Sequence, residues 1–393
     1  MDLREEALKL HRENKGKLAV KSKVKIVTKD DLSLVYTPGV AEVCKEIFAD
    51  KKKVYDYTMK ANSVAVVTDG SAVLGLGNIG AEASLPVMEG KCVLFKELAG
   101  IDSFPICIKN QNDDEIINIV KNIAPAFGGI NLEDIAAPRC FKIEEKLQDL
   151  GIPVMHDDQH GTAIVVLAAL LNASKVINKN IENLKIVING VGAAGTAIAK
   201  LLLCIGIDRK ICTSVKEIVL CDSKGIVYDG RPDLNEIKKA LAKITNSQKR
   251  KGTLKDALRG ADVFIGVSRG NLLTADDLKA MNKNAIVFAM ANPVPEIMPN
   301  EAKKVAAVVG TGRSDFPNQI NNSLAFPGVF RGALDAKATK INNEMKIAAA
   351  SAIANCVKPA KDNILPYTLD KSVVIKVSEA VAKAAKETGV CRQ

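Results

Sequence analysis

Tryptophan is absent from this 393-residue sequence, and ten Phe and five Tyr are its only aromatics besides histidine. So few rings exclude the stacking platforms on which single-stranded nucleic acids are held. No C-x-x-C pair occurs among the nine cysteines, Cys44, Cys92, Cys107, Cys140, Cys204, Cys212, Cys221, Cys356 and Cys391. That argues against zinc ribbons and disulfide frameworks, and the odd count with members inside apolar runs predicts reduced core cysteines in a reducing compartment. No apolar run exceeds Ala163 to Leu171, too short for a bilayer. The segment Met1 to Gly16 is charged and lacks the apolar centre of a signal peptide, so a cytoplasmic protein without membrane association is expected. Basic residues exceed acidic ones by 55 − 45 = +10, yet no basic run passes four residues. The excess therefore points to small anionic ligands and away from nucleic acid.

What is present is average in hydrophobic share, 47%, and in charge, 25%, and the length suits two domains with substantial cores. The predicted class is α/β: an N-terminal α/β domain over residues 1–160, then a Rossmann-type doubly wound parallel-sheet domain over 161–393 ending in helices. Strands are expected at Val64 to Thr68, Val93 to Phe95, Phe104 to Ile108 and Ile152 to Met155. A second series is expected at Lys185 to Asn189, Glu217 to Cys221, Val263 to Val267, Ile286 to Ala289 and Val305 to Val309. The Lys-rich stretch Lys238 to Gly252 reads as a solvated surface helix or loop.

Two stretches match G-x-G-x-x-G. Gly75 to Gly80 reads as a glycine-rich turn. The second, Gly190-Val191-Gly192-Ala193-Ala194-Gly195, follows an expected buried strand, opens a helix and precedes a strand ending in Asp222. That context is the dinucleotide fingerprint: Gly190 for a tight turn, Gly192 for approach of the pyrophosphate, Gly195 for helix packing and Asp222 for the adenosine ribose. Asp222 repels a 2′-phosphate, whereas Ser223 and Lys224 accommodate one, leaving NAD and NADP both open.

Glu133-Asp134 and Asp157-Asp158 stand 24 residues apart. Such hard oxygen donors suit Mg²⁺ or Mn²⁺, and equally suit two solvated pairs at helix N-termini. His156 and His160 flank the second pair, but the turn and Gly161 directly after His160 weaken a zinc reading.

Seven segments taken together resemble the malic enzymes, in particular the short microbial kind. They are Ser33-Leu-Val-Tyr-Thr-Pro-Gly-Val-Ala41, Val67-Thr-Asp-Gly-Ser-Ala-Val-Leu-Gly-Leu-Gly-Asn-Ile-Gly80, Pro86-Val-Met-Glu-Gly-Lys91, Asn131-Leu-Glu-Asp134, His156-Asp-Asp-Gln-His-Gly-Thr-Ala163, Ala291-Asn-Pro293 and Asn318-Gln-Ile-Asn-Asn-Ser-Leu-Ala-Phe-Pro-Gly328. The resemblance implies oxidative decarboxylation of L-malate to pyruvate and carbon dioxide, with reduction of NAD or NADP. It implies Glu133, Asp134 and Asp158 as ligands of Mg²⁺ or Mn²⁺, Lys91 as general base with Asp157 as its partner, and Tyr36 as general acid. Asn292, Asn321 and Asn322 are implied to hold the malate carboxylates, Asn292 also facing the cofactor, and a homodimer is implied. Two departures stand out: Ser71 and Ala72 occupy the place of an arginine in longer members, and Gly266-Val-Ser-Arg-Gly-Asn271 puts Arg269 near the cofactor. The acyl-transferase-like domain appended to some bacterial relatives is not expected after Gln393. Two other readings are a malolactic enzyme, converting malate to lactate without net cofactor reduction, and a non-catalytic dinucleotide-binding sensor.

Overall fold

The computed structural model describes residues 3–73 and 75–392; Met1, Asp2, Gln393 and Leu74, the last within the Val67 to Gly80 segment, lie outside the described residues. Two sheets organise the chain. The first joins β1 (Ser63–Thr68), β2 (Asp102–Cys107), β3 (Gly129–Leu132) and β4 (Val154–His156) in the order β2-β1-β3-β4, all parallel. The second joins β5 (Lys185–Asn189), β6 (Glu217–Asp222), β7 (Gly225–Ile226), β8 (Val263–Gly266), β9 (Ile286–Ala289) and β10 (Val308–Thr311) in the order β10-β9-β8-β5-β6-β7. Only the β6–β7 pairing is antiparallel. Parallel strands are covered by helices on both faces, which is why Val64 to Val67 and Ile186 to Ile188 are uninterrupted apolar runs with almost no exposure.

The strand order of the second sheet reverses at β5, placing the crevice beyond β5 and β8 at the switch point where α/β sheets bind ligands. The Asp157–Val176 helix runs directly out of β4 and buries 14 residues between the sheets. It spans the division at 160/161. The Phe326–Asp335 helix returns to the first half, where Phe326 and Phe330 meet Phe95 edge-on at centroid separations of 4.7 and 5.4 Å. Such pairs add roughly 0.5–1.5 kcal/mol beyond burial. The C-terminal helices Asn343–Ala354 and Lys371–Glu387 pack against each other and on that helix.

Two expectations are corrected. Val93 to Phe95 is not a strand but part of the Gly80–Ala99 helix, in which Met88, Cys92 and Phe95 line one buried face at three- and four-residue spacing. Nor are all cysteines reduced: Cys204 and Cys212 form a disulfide. The chain turns back after the Ala193–Leu202 helix, with Cys204 at a φ of +54°, and brings the two Cα atoms within 5.8 Å. A spacing of eight carries no sign of that geometry. The other seven cysteines are free thiols. Among the described residues no helix is long and apolar enough to cross a membrane.

Candidate active site

The acids predicted from spacing converge at the C-terminal ends of the first sheet. β3 ends directly before Glu133, whose N–H donates to Val67 O on β1, and Asp134 follows with a φ of +53°. β4 ends directly before Asp157 and Asp158, the first turn of the Asp157–Val176 helix, whose dipole favours carboxylates there. Glu133, Asp134 and Asp158 each bring a carboxylate oxygen within 4.8 Å of the others. Asp158 also accepts the Asp134 N–H at 2.8 Å. Burial, opposed by Lys91 and reinforced by the Asp157 charge, pushes the Asp158 carboxyl up to about 6. Three converging hard donors whose mutual charge is only partly compensated fit a Mg²⁺- or Mn²⁺-sized cation. The three-acid set contains neither histidine: buried His156 holds Nδ1 3.8 Å from Asp158 Oδ2, behind it, and His160 turns to Glu144 at 3.0 Å.

Lys91 lies directly behind these acids. Its Nζ donates to Asp157 Oδ2 at 2.6 Å, sits 2.9 Å from Glu133 Oε1, and rests 4.3 Å from the Phe326 ring centroid. Burial alone would lower its pKa; Asp157 and Glu133 outweigh it and hold the ammonium above its ordinary value. Asp157 is fully buried, and burial, opposed by Lys91 and reinforced by Glu133, raises it to about 7. Among the described residues its Oδ1 has no hydrogen-bond partner.

The opposite wall is the glycine turn. Gly190 has a φ of +115°, and a Cβ there would lie 2.5 Å from Val267 O; a Cβ on Gly195 would lie 1.7 Å from Gly190 O. Both positions therefore admit only glycine. Gly192 differs, since a Cβ added to it meets nothing within 4 Å, leaving its backbone bare at the N-terminus of the Ala193–Leu202 helix. A bare backbone at a helix N-terminus is an anion cradle and fits a pyrophosphate. Ala193 and Ala194 line a cavity of about 530 Å³ together with Asp134, Asp158, Asn292, Asn321 and Asn322. A second cavity of about 570 Å³ holds Asp222, Lys238 and Arg269, and the two share Gly192 and Ser268. They form one cleft from the acids to Asp222.

Among the described residues no arginine lines the acid end. Ser71 performs another task there: it donates to Asp69 Oδ1 and accepts the Ala136 N–H at 2.9 Å, while the Ala72 N–H reaches Asp134 O at 2.9 Å. The turn after β1 is thereby tied to the Asp134 loop. The first glycine match sits in the same turn and opens the Gly80–Ala99 helix, and a Cβ on Gly75 would lie 2.8 Å from Asn292 O.

Tyr36 is not brought to the cleft. It caps the Lys29–Val35 helix in an N-terminal arm, with 67% of its surface exposed. Four further residues take up roles that the sequence did not assign to them, Lys238 among them, which starts a stretch that reads as solvated surface. Arg231 and Lys238 occupy Asp222, the first through Nη1 at 3.0 Å and Nη2 at 2.5 Å, the second at 2.7 Å. Although burial opposes it, these bonds lower the Asp222 carboxyl to about 2. Glu296, fully buried, accepts the N–H groups of Ser268 and Ala291 at the ends of β8 and β9. Gly161 is the fourth: a Cβ there would fall 1.7 Å from Asp157 Oδ1.

Comparison with known proteins identifies the family. The malic enzyme NAD binding domain matches residues 159–386, and the malic enzyme N-terminal domain matches residues 13–115 and 110–148. The chain belongs to the malic enzyme family. Its malic enzyme relatives include the bifunctional malic/malolactic enzyme of Bacillus subtilis, 59% identical over all of this chain and 95% of the relative. The NAD-dependent malic enzyme of Geobacillus stearothermophilus is 54% identical over 96% of this chain and 78% of the relative. Among solved structures, the NAD-dependent malic enzyme of Thermotoga maritima superimposes with a TM-score of 0.91 at 50% identity, covering 96% of this chain and 98% of that one. The stretch matching the NAD binding domain carries the glycine turn and Asp222, the part of the cleft that faces the acids.

Proposed function

We propose that the chain oxidatively decarboxylates L-malate to pyruvate and carbon dioxide, reducing NAD or NADP, with Mg²⁺ or Mn²⁺ as the divalent ion. The observation that carries the reading is the buried Lys91–Asp157 pair at 2.6 Å, set behind three converging carboxylates and across one cleft from a bare glycine turn. Glu133, Asp134 and Asp158 would hold the ion, and Gly192 to Gly195 with Asp222 and Asn292 the dinucleotide. When bound, the ion supplies charge stabilisation for an enolate and the dinucleotide supplies a hydride acceptor.

The remaining tasks fall to the chain's own residues. Asn321 and Asn322 on one rim and Asn292 on the other orient carboxylate oxygens through amide N–H groups without adding charge. Lys91 first passes a proton along its 2.6 Å bond to Asp157, whose carboxyl is raised to about 7, and then, as the free amine, takes the proton of the C2 hydroxyl. Tyr36 delivers a proton to C3 of the enol, and its hydroxyl comes from a second copy. The helices Leu3–Asn14, Lys29–Val35 and Val40–Ala49 bury no residue, while Leu34 and Phe48 are 75% and 91% exposed. Apolar side chains laid out this way mark an interaction surface. A cytoplasmic homodimer in which each arm carries Tyr36 to the other subunit's cleft follows, with no nucleic-acid or membrane partner.

The printed name of the Bacillus subtilis relative favours a second reading, conversion of malate to lactate without net cofactor reduction. One assay separates the two: L-malate and Mn²⁺ with NAD and NADP in parallel, quantifying reduced cofactor, pyruvate and lactate. Reduced cofactor matched by pyruvate supports oxidative decarboxylation, and lactate without reduced cofactor supports the malolactic reading. Neither product would leave a dinucleotide-binding sensor.

A further inference from the structure

On the opposite side of the Asp157–Val176 helix from the acids lies a cavity of about 440 Å³, enclosed with the Arg139–Lys146, Ala193–Leu202 and Asn343–Ala354 helices. No step of the proposed reaction uses it. Lys346 lines it and is 9% exposed, and among the described residues its ammonium makes no hydrogen bond or ion pair. Thr196 also lines it and is fully buried, and among the described residues its Oγ1 has no hydrogen-bond partner. Burial lowers the Lys346 pKa, with Glu144 pulling the other way. A buried cation and a buried hydroxyl left without partners are costly, unless a ligand supplies the acceptor.

Glu144 does not serve as that acceptor. Its carboxylate already receives His160 Nε2 at 3.0 Å, Gln159 Nε2 at 3.1 Å and the His156 N–H at 3.0 Å. With Glu144 and Glu145 set against Lys346 and Lys200, the cavity's charge limits what can enter: a dianionic phosphoryl group beside the two carboxylates would be repelled more strongly than a group with a single negative charge. Polar Gln148, Lys200 and Asn343 share the lining with an apolar stretch in which Ile341 is buried and Ile205 and Ile207 are partly open to water. Ile205 and Ile207 belong to the loop closed by the Cys204–Cys212 disulfide.

We propose that this cavity is a binding site for a medium-chain aliphatic monocarboxylate, whose two oxygens meet Lys346 Nζ and Thr196 Oγ1 while its hydrocarbon lies against Ile205, Ile207 and Ile341. The head group takes the place of the missing partners, and the tail covers apolar side chains otherwise open to water.

Titration calorimetry of the full chain with hexanoate tests this, with hexanol as the uncharged control. One saturable site for hexanoate, none for hexanol, and no displacement by L-malate are expected. Lys346→Met, which keeps the side chain's length without its charge, should weaken hexanoate at least about tenfold while still unfolding cooperatively. Thr196→Val should weaken it several-fold and serves if the first variant does not fold. The proposal is overturned by any of three results: no saturable binding to the wild type, unchanged affinity in both variants, or displacement by L-malate, which would place hexanoate in the active cleft.

Discussion

Gly161 sits one helical turn after Asp157, and the space a Cβ would need there is taken by the Asp157 carboxylate, 1.7 Å away. The absence of a side chain at one position thus sets the rotamer of the residue that holds Lys91. Gly161→Ala has to displace that carboxylate or the helix. We expect kcat with L-malate to fall at least about tenfold and stability to drop by roughly 1–3 kcal/mol, the range for overpacking a tight interior. Steady-state kinetics and denaturant unfolding check both, and a variant with normal kcat would show that Asp157 need not hold its position.

The acid cluster links metal binding to pH. Asp157 and Asp158 hold their protons up to about 7 and about 6, above the ordinary carboxylate value of 3.8. Their raised pKa values mean that the native state binds protons more tightly than the unfolded chain. Stability of the metal-free protein from these groups is therefore full below 3.8 and is lost as pH rises through 6 to 7. Mn²⁺ affinity runs the other way, falling about tenfold per pH unit below the Asp158 value as the ligand protonates. Unfolding curves of metal-free protein and Mn²⁺ titrations between pH 5 and about 7.5 read out both slopes, and a flat Mn²⁺ profile would remove Asp158 as a ligand.

Asp222 bears on cofactor choice differently from a free ribose-binding acid, because Arg231 and Lys238 already occupy both its oxygens. Asp222→Ser releases two cations toward the adenosine end of the cleft, where a 2′-phosphate would meet them. The ratio of kcat/KM for NADP over NAD is expected to rise at least about tenfold in Asp222→Ser and to fall in Lys238→Gln. An unmoved ratio in both would mean that the ribose is read by another residue.

What could be read in the sequence, and what could not, follows from where each signal lies. Gly190 to Gly195 was legible because strand, turn, helix and acid follow in contiguous order, and the parallel strands because burial on both faces writes an unbroken apolar run. Val93 to Phe95 reads as a strand in isolation; only the longer spacing of Met88, Cys92 and Phe95 reveals a helix face. Glu296, Arg231 and Lys238 act on partners brought near by the fold, Lys238 at the start of a stretch that reads as solvated surface, so local periodicity is silent about them. Cys204 and Cys212 meet through a backbone reversal with no spacing rule, and Tyr36 reaches the cleft in no single chain.

That last displacement yields a test that distinguishes a shared site from a self-contained one. In a dimer where each arm crosses over, a subunit carrying Tyr36→Phe keeps its own Lys91 and can borrow tyrosine from a partner carrying Lys91→Ala. Each variant alone should be nearly inactive. Mixed after denaturation and refolding in equal amounts, half of the dimers would be hybrids with one intact site of two, so about a quarter of the wild-type activity should return. If Tyr36 instead folds back onto its own cleft, every site in the mixture lacks either the lysine or the tyrosine, and no activity returns. The arm's exposed Leu34 and Phe48 make the crossing arrangement the expected one.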